Sequence, residues 1–152
     1  MIALKFQHIR DINALLFEKD TFDAFLLLEA SLIGEYALTL EQLPASGSSI
    51  PYGKIRPVLE ASLPSLSDPL RGRITLKASD SYMQSLVRNP GFTGDPDMIS
   101  SLVLTFRIEN DSLSAMTGIS YRTFTPDKSM DRLWDQAIQK AFDHMNISYE
   151  LL

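Results

Sequence analysis

The chain has 152 residues, 45% of them apolar and 22% charged, which is the balance of an ordinary globular protein rather than a disordered one. It contains no cysteine, so disulfides, thiolate metal sites and cysteine nucleophiles are excluded and a reducing compartment is favoured. A formal net charge of -5 argues against broad electrostatic binding to nucleic acid or anionic lipid. With neither a signal-peptide pattern nor an apolar run approaching ~20 residues, the sequence predicts a cytoplasmic protein with a single domain over residues 1–152.

The first half of the chain contains alternating apolar residues, which are typical of β-strands. This pattern predicts strands over 2–6 and 36–41, and the largely apolar stretch 23–33 is predicted to be a mostly buried strand. A short helix is predicted to begin near Ile9, and a second over 57–63 with Pro57 in its first turn. Two stretches rich in proline, serine and glycine are predicted loops: 43–53 and 64–70.

The second half begins with a predicted strand over 74–78, a helix over 79–88 and a loop over 89–97. A hairpin follows, because apolar residues alternate on both sides of Asn110-Asp111 and both of these residues tolerate positive φ. A two-residue turn there sets three pairs: Ile108 with Leu113, Phe106 with Ala115 and Leu102 with Ile119. This register puts both apolar sets on one face of the sheet.

Apolar residues spaced three and one apart predict a long amphipathic helix that reaches Met145 and ends at Asn146. Thr125 followed by Pro126 is the expected N-cap with proline at the first helical position. The elements together predict an α+β fold. About six mainly antiparallel strands form a mixed sheet, and the helices pack on one of its faces.

The sequence contains no motif that would carry catalysis or hold a cofactor. There is no nucleophile elbow and no phosphate-binding glycine loop, and His8 and His144 are expected on the surface. Asp127, Asp131 and Asp135 share one helix face and could bind a hard cation, but acids are favoured in the first turns of any helix. We favour the second interpretation, and predict no catalytic residue, no metal and no cofactor.

Strand parity gives the most informative pattern. If the apolar residues of the strands face the helices, the opposite face carries five cations: Lys5, Arg73, Lys77, Arg107 and Arg122. Such a face would suit an anion, a nucleotide, an acidic partner or self-association beside acidic residues. The alternative is a solvated face on which lysine and arginine block edge-to-edge aggregation.

Glu29 interrupts an otherwise apolar strand. A carboxylate buried there would have to be paired or shifted in pKa, and such groups gather at functional sites. The alternative is that Glu29 faces solvent or a salt-bridge partner. The residue is therefore a candidate binding residue beside the five cations.

Several short segments, taken in their order along the chain, resemble those of other proteins. They read MIALK at 1–5, DTFDAFLLLEA at 20–30, IRP at 55–57 and FTPDKS at 124–129, followed by Trp134. In these segments the chain resembles a family of short uncharacterised proteins from clostridial Firmicutes, over nearly its whole length. The resemblance implies a bacterial cytoplasmic origin and transfers no functional residue.

The sequence thus favours a non-catalytic binding or protein-interaction module, with a homodimer or another protein as partner and no membrane role. The alternative is a small cysteine-free enzyme that uses acids and arginines near the loops, with Glu29 among them. A nucleic-acid role ranks third, because the predicted cationic face has few aromatic residues. An enzyme should show a concave pocket that holds a titratable group with a strongly shifted pKa, whereas a module should show a flat charged face.

Overall fold

Antiparallel β-strands form the frame of the protein. The computed structural model describes residues 1–43, 49–66, 71–109 and 111–152. Eight strands in these ranges belong to one sheet: β1 Ala3–Phe6, β2 Leu26–Ile33, β3 Ala37–Glu41, β4 Ile50–Pro51, β5 Arg71–Lys77, β6 Ile99–Glu109, β7 Ser112–Tyr121 and β8 Tyr149–Leu151. Their order is β3-β2-β5-β6-β7-β1-β8, and β4 also pairs with β2. Every one of these pairings is antiparallel.

The helices cover one face of this sheet, which confirms the predicted α+β class. The described α-helices are α1 Ile9–Asn13, α2 Tyr52–Leu66, α3 Asp80–Val87 and α4 Ser129–His144. A π-helical segment, Ala14–Glu18, continues α1, and a short 3-10 helix, Pro96–Met98, precedes β6. None of the helices in the described ranges is long and apolar enough to cross a bilayer.

A cluster of phenylalanine rings joins the sheet to α4. Phe22 packs edge-on against Phe106 of β6 with ring centroids 5.2 Å apart, and its centroid lies 6.3 Å from that of Phe142 in α4. Phe142 in turn packs edge-on against Phe6 of β1 at 5.1 Å. All four rings are buried, so the core is centred between the middle strands and the C-terminal helix.

The hairpin and the end of the long helix follow the sequence closely. β6 and β7 pair Ile108 with Leu113, and the two other predicted pairs are also present. Asp111 has a φ of 63°, as its place in the turn requires, whereas Asn110 lies outside the described residues. Asn146 ends the region of α4 with a φ of 57°, which confirms it as the left-handed stop.

Two strands were not predicted, and one predicted strand is shorter than expected. The short strands β4 and β8 have too few residues to show an alternating pattern. The strand predicted over 23–33 begins only at Leu26, because Asp23 and Phe25 donate backbone hydrogen bonds to Asp20 and Phe22 in a turn. Residues 44–48 and 67–70 of the predicted loops lie outside the described residues.

The helix predicted over 57–63 was wrong in both of its limits. α2 begins at Tyr52, and both Pro57 and Pro64 lie inside it. Its first turn is held by distant residues: the Tyr52 hydroxyl donates to the Leu16 carbonyl at 2.8 Å, and Arg56 donates to both carboxylate oxygens of Asp23 at 2.7 and 3.1 Å. These contacts stabilise a start that local propensity does not indicate.

The predicted N-cap of the C-terminal helix was also wrong. α4 begins at Ser129 rather than just after Thr125. The Asp127 carboxylate accepts the Ser129 backbone N–H at 2.9 Å, whereas the Thr125 hydroxyl only accepts the Asp127 N–H at 3.4 Å. An ionised carboxylate is the stronger acceptor for the positive end of a helix, so Asp127 sets the start.

Candidate functional site

The cationic residues predicted to share a face do so in large part. On the side of the sheet opposite the helices, which we call the open face, Arg73 of β5 lies directly opposite Arg107 of β6. Arg107 lies opposite Ser114, and Ser114 lies opposite Lys5, so the three cations form one row across four strands. At about 4.8 Å between strands, the row extends for roughly 14 Å.

The other two predicted cations are placed differently. Lys77 lies on the open face, opposite Val103 and four residues along β5 from Arg73. Arg122 is exposed and follows the end of β7, beyond the strand pairs that form the sheet. The structure therefore brings four of the five cations together on one sheet face and leaves Arg122 at its end.

Glu29 lies beside this row and is not buried. It is opposite Thr75 of β5 and Glu41 of β3, on the open face, and 46% of its side chain is exposed. Its Oε1 is 3.9 Å from Nη1 of Arg73. Of the two interpretations of Glu29, the structure has the one in which it faces solvent and a salt-bridge partner, not the buried carboxylate. The strand irregularity between Leu27 and Glu29 shifts the pairing and turns Glu29 outward.

The guanidinium groups of Arg73 and Arg107 keep their hydrogen-bonding capacity. Arg73 approaches Glu29 only at 3.9 Å and Arg107 approaches Glu109 only at 3.8 Å, which is too far for a hydrogen bond. Within the described residues, neither guanidinium donates a hydrogen bond to a protein group. About half of each side chain is exposed, so both forks of N–H donors are open to a ligand from solvent.

Like charges directly opposite each other on neighbouring strands are unfavourable. The Arg73–Arg107 pair is such a case, at the centre of the sheet rather than at an edge where lysine and arginine protect against aggregation. Short hydroxyl side chains surround the pair on the same face: Ser31, Thr75, Thr105 and Ser114. An anion that bridged the two guanidiniums would remove the repulsion and could also accept from these hydroxyls.

The three acids of the predicted helix face are held by hydrogen bonds to other protein groups; Asp127 lies just before α4, and Asp131 and Asp135 lie within it. Asp127 accepts from the hydroxyls of Thr93 and Ser129, Asp131 accepts from the Tyr121 hydroxyl, and Asp135 accepts from the Thr117 hydroxyl and the N-terminal amine. Asp131 and Asp135 thus bond to β7, and Asp127 bonds to the loop before β6 and to the first residue of α4. In the described part of the chain, no group of three or more acidic or histidine side chains is placed to hold a metal ion.

The hydrogen bonds of Asp127 make the stability of the protein depend on pH. Donation by the Ser129 and Thr93 hydroxyls holds the pKa of the Asp127 carboxyl below its usual value. Such a group contributes stability above its unfolded pKa of about 4, and this contribution is lost as the pH falls through the lower folded pKa. We expect Asp127→Asn to be less stable than wild type at neutral pH, and the two urea midpoints to converge between about pH 5 and pH 2. The control is Asp97→Asn, at an exposed position whose carboxylate accepts no hydrogen bond from the described residues; its urea midpoint should keep a constant difference from wild type at all pH values. A constant difference for Asp127→Asn as well would contradict the assignment.

A cavity on the helix side was not predicted. It has a volume of about 210 Å³ and lies between α3, α4 and the chain that leads into β2. Three aromatic rings line it, from Phe25, Tyr82 and Trp134. The remaining wall is mostly alanine: Ala24, Ala78, Ala137 and Ala141. The alanine spacing on α4 could have suggested a gap in the packing, but alanine is common on every helix face.

The comparisons with known proteins give a family and no activity. A family model described as a family of unknown function, DUF5721, matches residues 40–150, so the chain belongs to that family. Neither a curated protein nor a solved structure matches the chain. The expectation of an uncharacterised family without an assigned function is thereby confirmed.

Proposed function

We propose that this member of the family is a non-catalytic binding module whose open face recognises a carboxylate-rich protein surface. The observation that carries the proposal is the pair of Arg73 and Arg107, directly opposite each other with unengaged guanidinium donors. Arginine pairs bidentately with carboxylates, and two adjacent forks set a specific spacing for the acids they bind.

A protein partner fits this face better than a nucleic acid. The row of cations spans only part of the open face, and Glu29 and Glu41 lie opposite each other on the adjoining strands, where they would repel a continuous polyanion. The described strand residues of the open face include no aromatic side chain on which bases could stack. The partner is therefore expected to present a few localised carboxylates.

A second copy of the chain is one such partner. Glu29 and Glu41 form an acidic pair next to the Arg73–Arg107 pair, so the face carries both charges that a symmetric contact needs. The homodimer and the cytoplasmic location expected from the sequence stay predictions.

The test begins with the mass of the protein in solution. We would measure light scattering after size-exclusion chromatography for wild type and for Arg73→Glu/Arg107→Glu, at low and moderate salt. A salt-sensitive dimer that the double variant converts to a monomer would identify the partner as a second copy. If both proteins are monomers, amide chemical shifts are followed on addition of a short polyglutamate peptide. We expect shifts on β5, β6 and β7 that weaken with salt.

The matched control reverses two arginines off the sheet. Arg10→Glu/Arg88→Glu makes the same change in net charge at exposed positions in and after helices. It should bind polyglutamate like wild type, whereas the Arg73→Glu/Arg107→Glu protein should not. Equal loss in both double variants, or a monomer that gives no shifts, would refute the proposal. Tighter binding of an oligothymidine single strand would refute the choice of a protein partner.

A further inference from the structure

We infer that the cavity between α3 and α4 is a binding site for a small, uncharged aromatic molecule. This site is on the helix side of the sheet and is independent of the open face. It is built by α3, which has no fully buried residue, and by α4, whose Trp134 and Ile138 form the floor. The helix that forms one wall packs on the core through partly buried side chains: Met83, Leu86 and Val87.

The size of the cavity suits a single aromatic ring. Its volume is about 210 Å³, and an apolar cavity of roughly 150 Å³ already accommodates benzene in a folded protein. Four alanines leave this space open where longer side chains would fill it: Ala24, Ala78, Ala137 and Ala141. The apolar side chains of this lining lack packing partners on the side that opens to solvent, and a ligand would supply those dispersion contacts.

The chemistry of the lining selects the class of ligand. Among the described residues that line the cavity, none carries a formal charge at neutral pH, so nothing there would hold a carboxylate or an ammonium group. Tyr82 and Trp134 already pack edge-to-face with their centroids 6.0 Å apart, and Phe25 adds a third ring. A flat ring inserted among them would make further edge-to-face contacts, which a saturated chain cannot make.

One polar group at the cavity is available to a ligand. The Tyr82 hydroxyl makes no hydrogen bond to any described protein group, and burial raises the pKa of this phenol. The indole N–H of Trp134 is not available, since it donates to the Val103 carbonyl at 2.9 Å. The ligand is therefore expected to carry one hydroxyl or carbonyl that pairs with Tyr82.

Trp134 makes the test direct, because it is the single tryptophan of the chain. Benzyl alcohol is the probe, and its saturated analogue cyclohexylmethanol is the matched control. With excitation at the red edge of indole absorption, benzyl alcohol should change the Trp134 emission saturably, with a Kd on the order of a millimolar. Cyclohexylmethanol should bind at least about fivefold more weakly.

Variants test whether the probe binds in the cavity or elsewhere on the surface. Ala137→Leu fills the cavity and should abolish the saturable change, whereas Ala61→Leu, on the exposed side of α2, should leave it intact. Tyr82→Phe should weaken benzyl alcohol about threefold to tenfold, since it removes the hydrogen bond and keeps the ring. If Ala137→Leu does not fold by circular dichroism, Ala24→Leu at the exposed rim replaces it.

Three results would overturn the inference. They are the absence of a saturable change in wild type, equal binding of the saturated analogue, and unchanged binding after the cavity is filled. The first would show that the cavity is a packing gap that binds no ligand. The second would show that the site does not prefer aromatic ligands. The third would show that the probe binds elsewhere on the protein.

Discussion

Phe22→Ala is expected to lower the free energy of unfolding by about 3–5 kcal/mol. The Phe22 ring is 4% exposed and packs edge-on against Phe106 of β6 at 5.2 Å and against Phe25 at 5.8 Å between centroids. Its removal leaves a cavity between the sheet and α4, and also removes edge-to-face contacts worth about 0.5–1.5 kcal/mol each. Urea denaturation monitored by circular dichroism would measure the change.

The same substitution at an exposed phenylalanine provides the control. Phe124 is 89% exposed in the connection between β7 and α4, so Phe124→Ala should change the free energy of unfolding by less than about 0.5 kcal/mol. If both substitutions lower the free energy of unfolding by the same amount, Phe22 is not part of the core and α4 packs on the sheet differently from the arrangement described above.

Gly72→Ala is the second substitution with a large expected effect, about 2–3 kcal/mol of destabilisation. Gly72 lies in β5 opposite Leu32 of β2, and a Cβ atom added to it would lie 2.2 Å from the Ser31 carbonyl oxygen. Because that atom belongs to the backbone, it can move only if the β2–β5 pairing moves with it. The thermal midpoint should fall, and amide exchange should become faster in β2 and β5.

Gly118→Ala tests the same residue change where there is room. Gly118 lies in β7 on the open face, opposite Val103, and an added Cβ would have no atom within 4 Å beyond its own residue and its two chain neighbours. Since glycine within a strand is less stable than alanine by about 0.5–1 kcal/mol, this variant should be as stable as wild type or more so. If Gly118→Ala destabilises the protein as much as Gly72→Ala, the effect at Gly72 is not explained by a clash between the added Cβ and a neighbouring backbone oxygen.

The two faces of the sheet support the two proposals separately. The open face carries paired charges and short hydroxyl side chains, which suit the binding of a partner from solvent. The helix side carries an uncharged cavity that α3 and α4 line. Loss of anion recognition in Arg73→Glu/Arg107→Glu should leave the binding of benzyl alcohol unchanged, because the two sites lie on opposite sides of the sheet.

Local patterns determined which side chains share a face. Side chains alternate along a strand, so parity alone put Lys5, Arg73, Lys77 and Arg107 opposite the apolar set, and turn chemistry at Asp111 set the hairpin register. Parity could not show that Arg73 and Arg107 are direct neighbours. That depends on β5 pairing with β6, which is a long-range choice of strand order.

Contacts between distant segments decided the rest. α2 begins at Tyr52 because that side chain and Arg56 bond to residues 16–23. Asp127, just before α4, and Asp131, within it, accept from hydroxyls of distant segments. Glu29 faced outward because of a strand irregularity that leaves no local signal. The sequence by itself therefore determined which stretches form helices and strands, where a local repeat of apolar residues marks them, and which of their side chains share a face. Only the tertiary structure decided strand order, helix starts, carboxylate partners and the cavity, because each of these depends on groups that are far apart along the chain and meet only on folding.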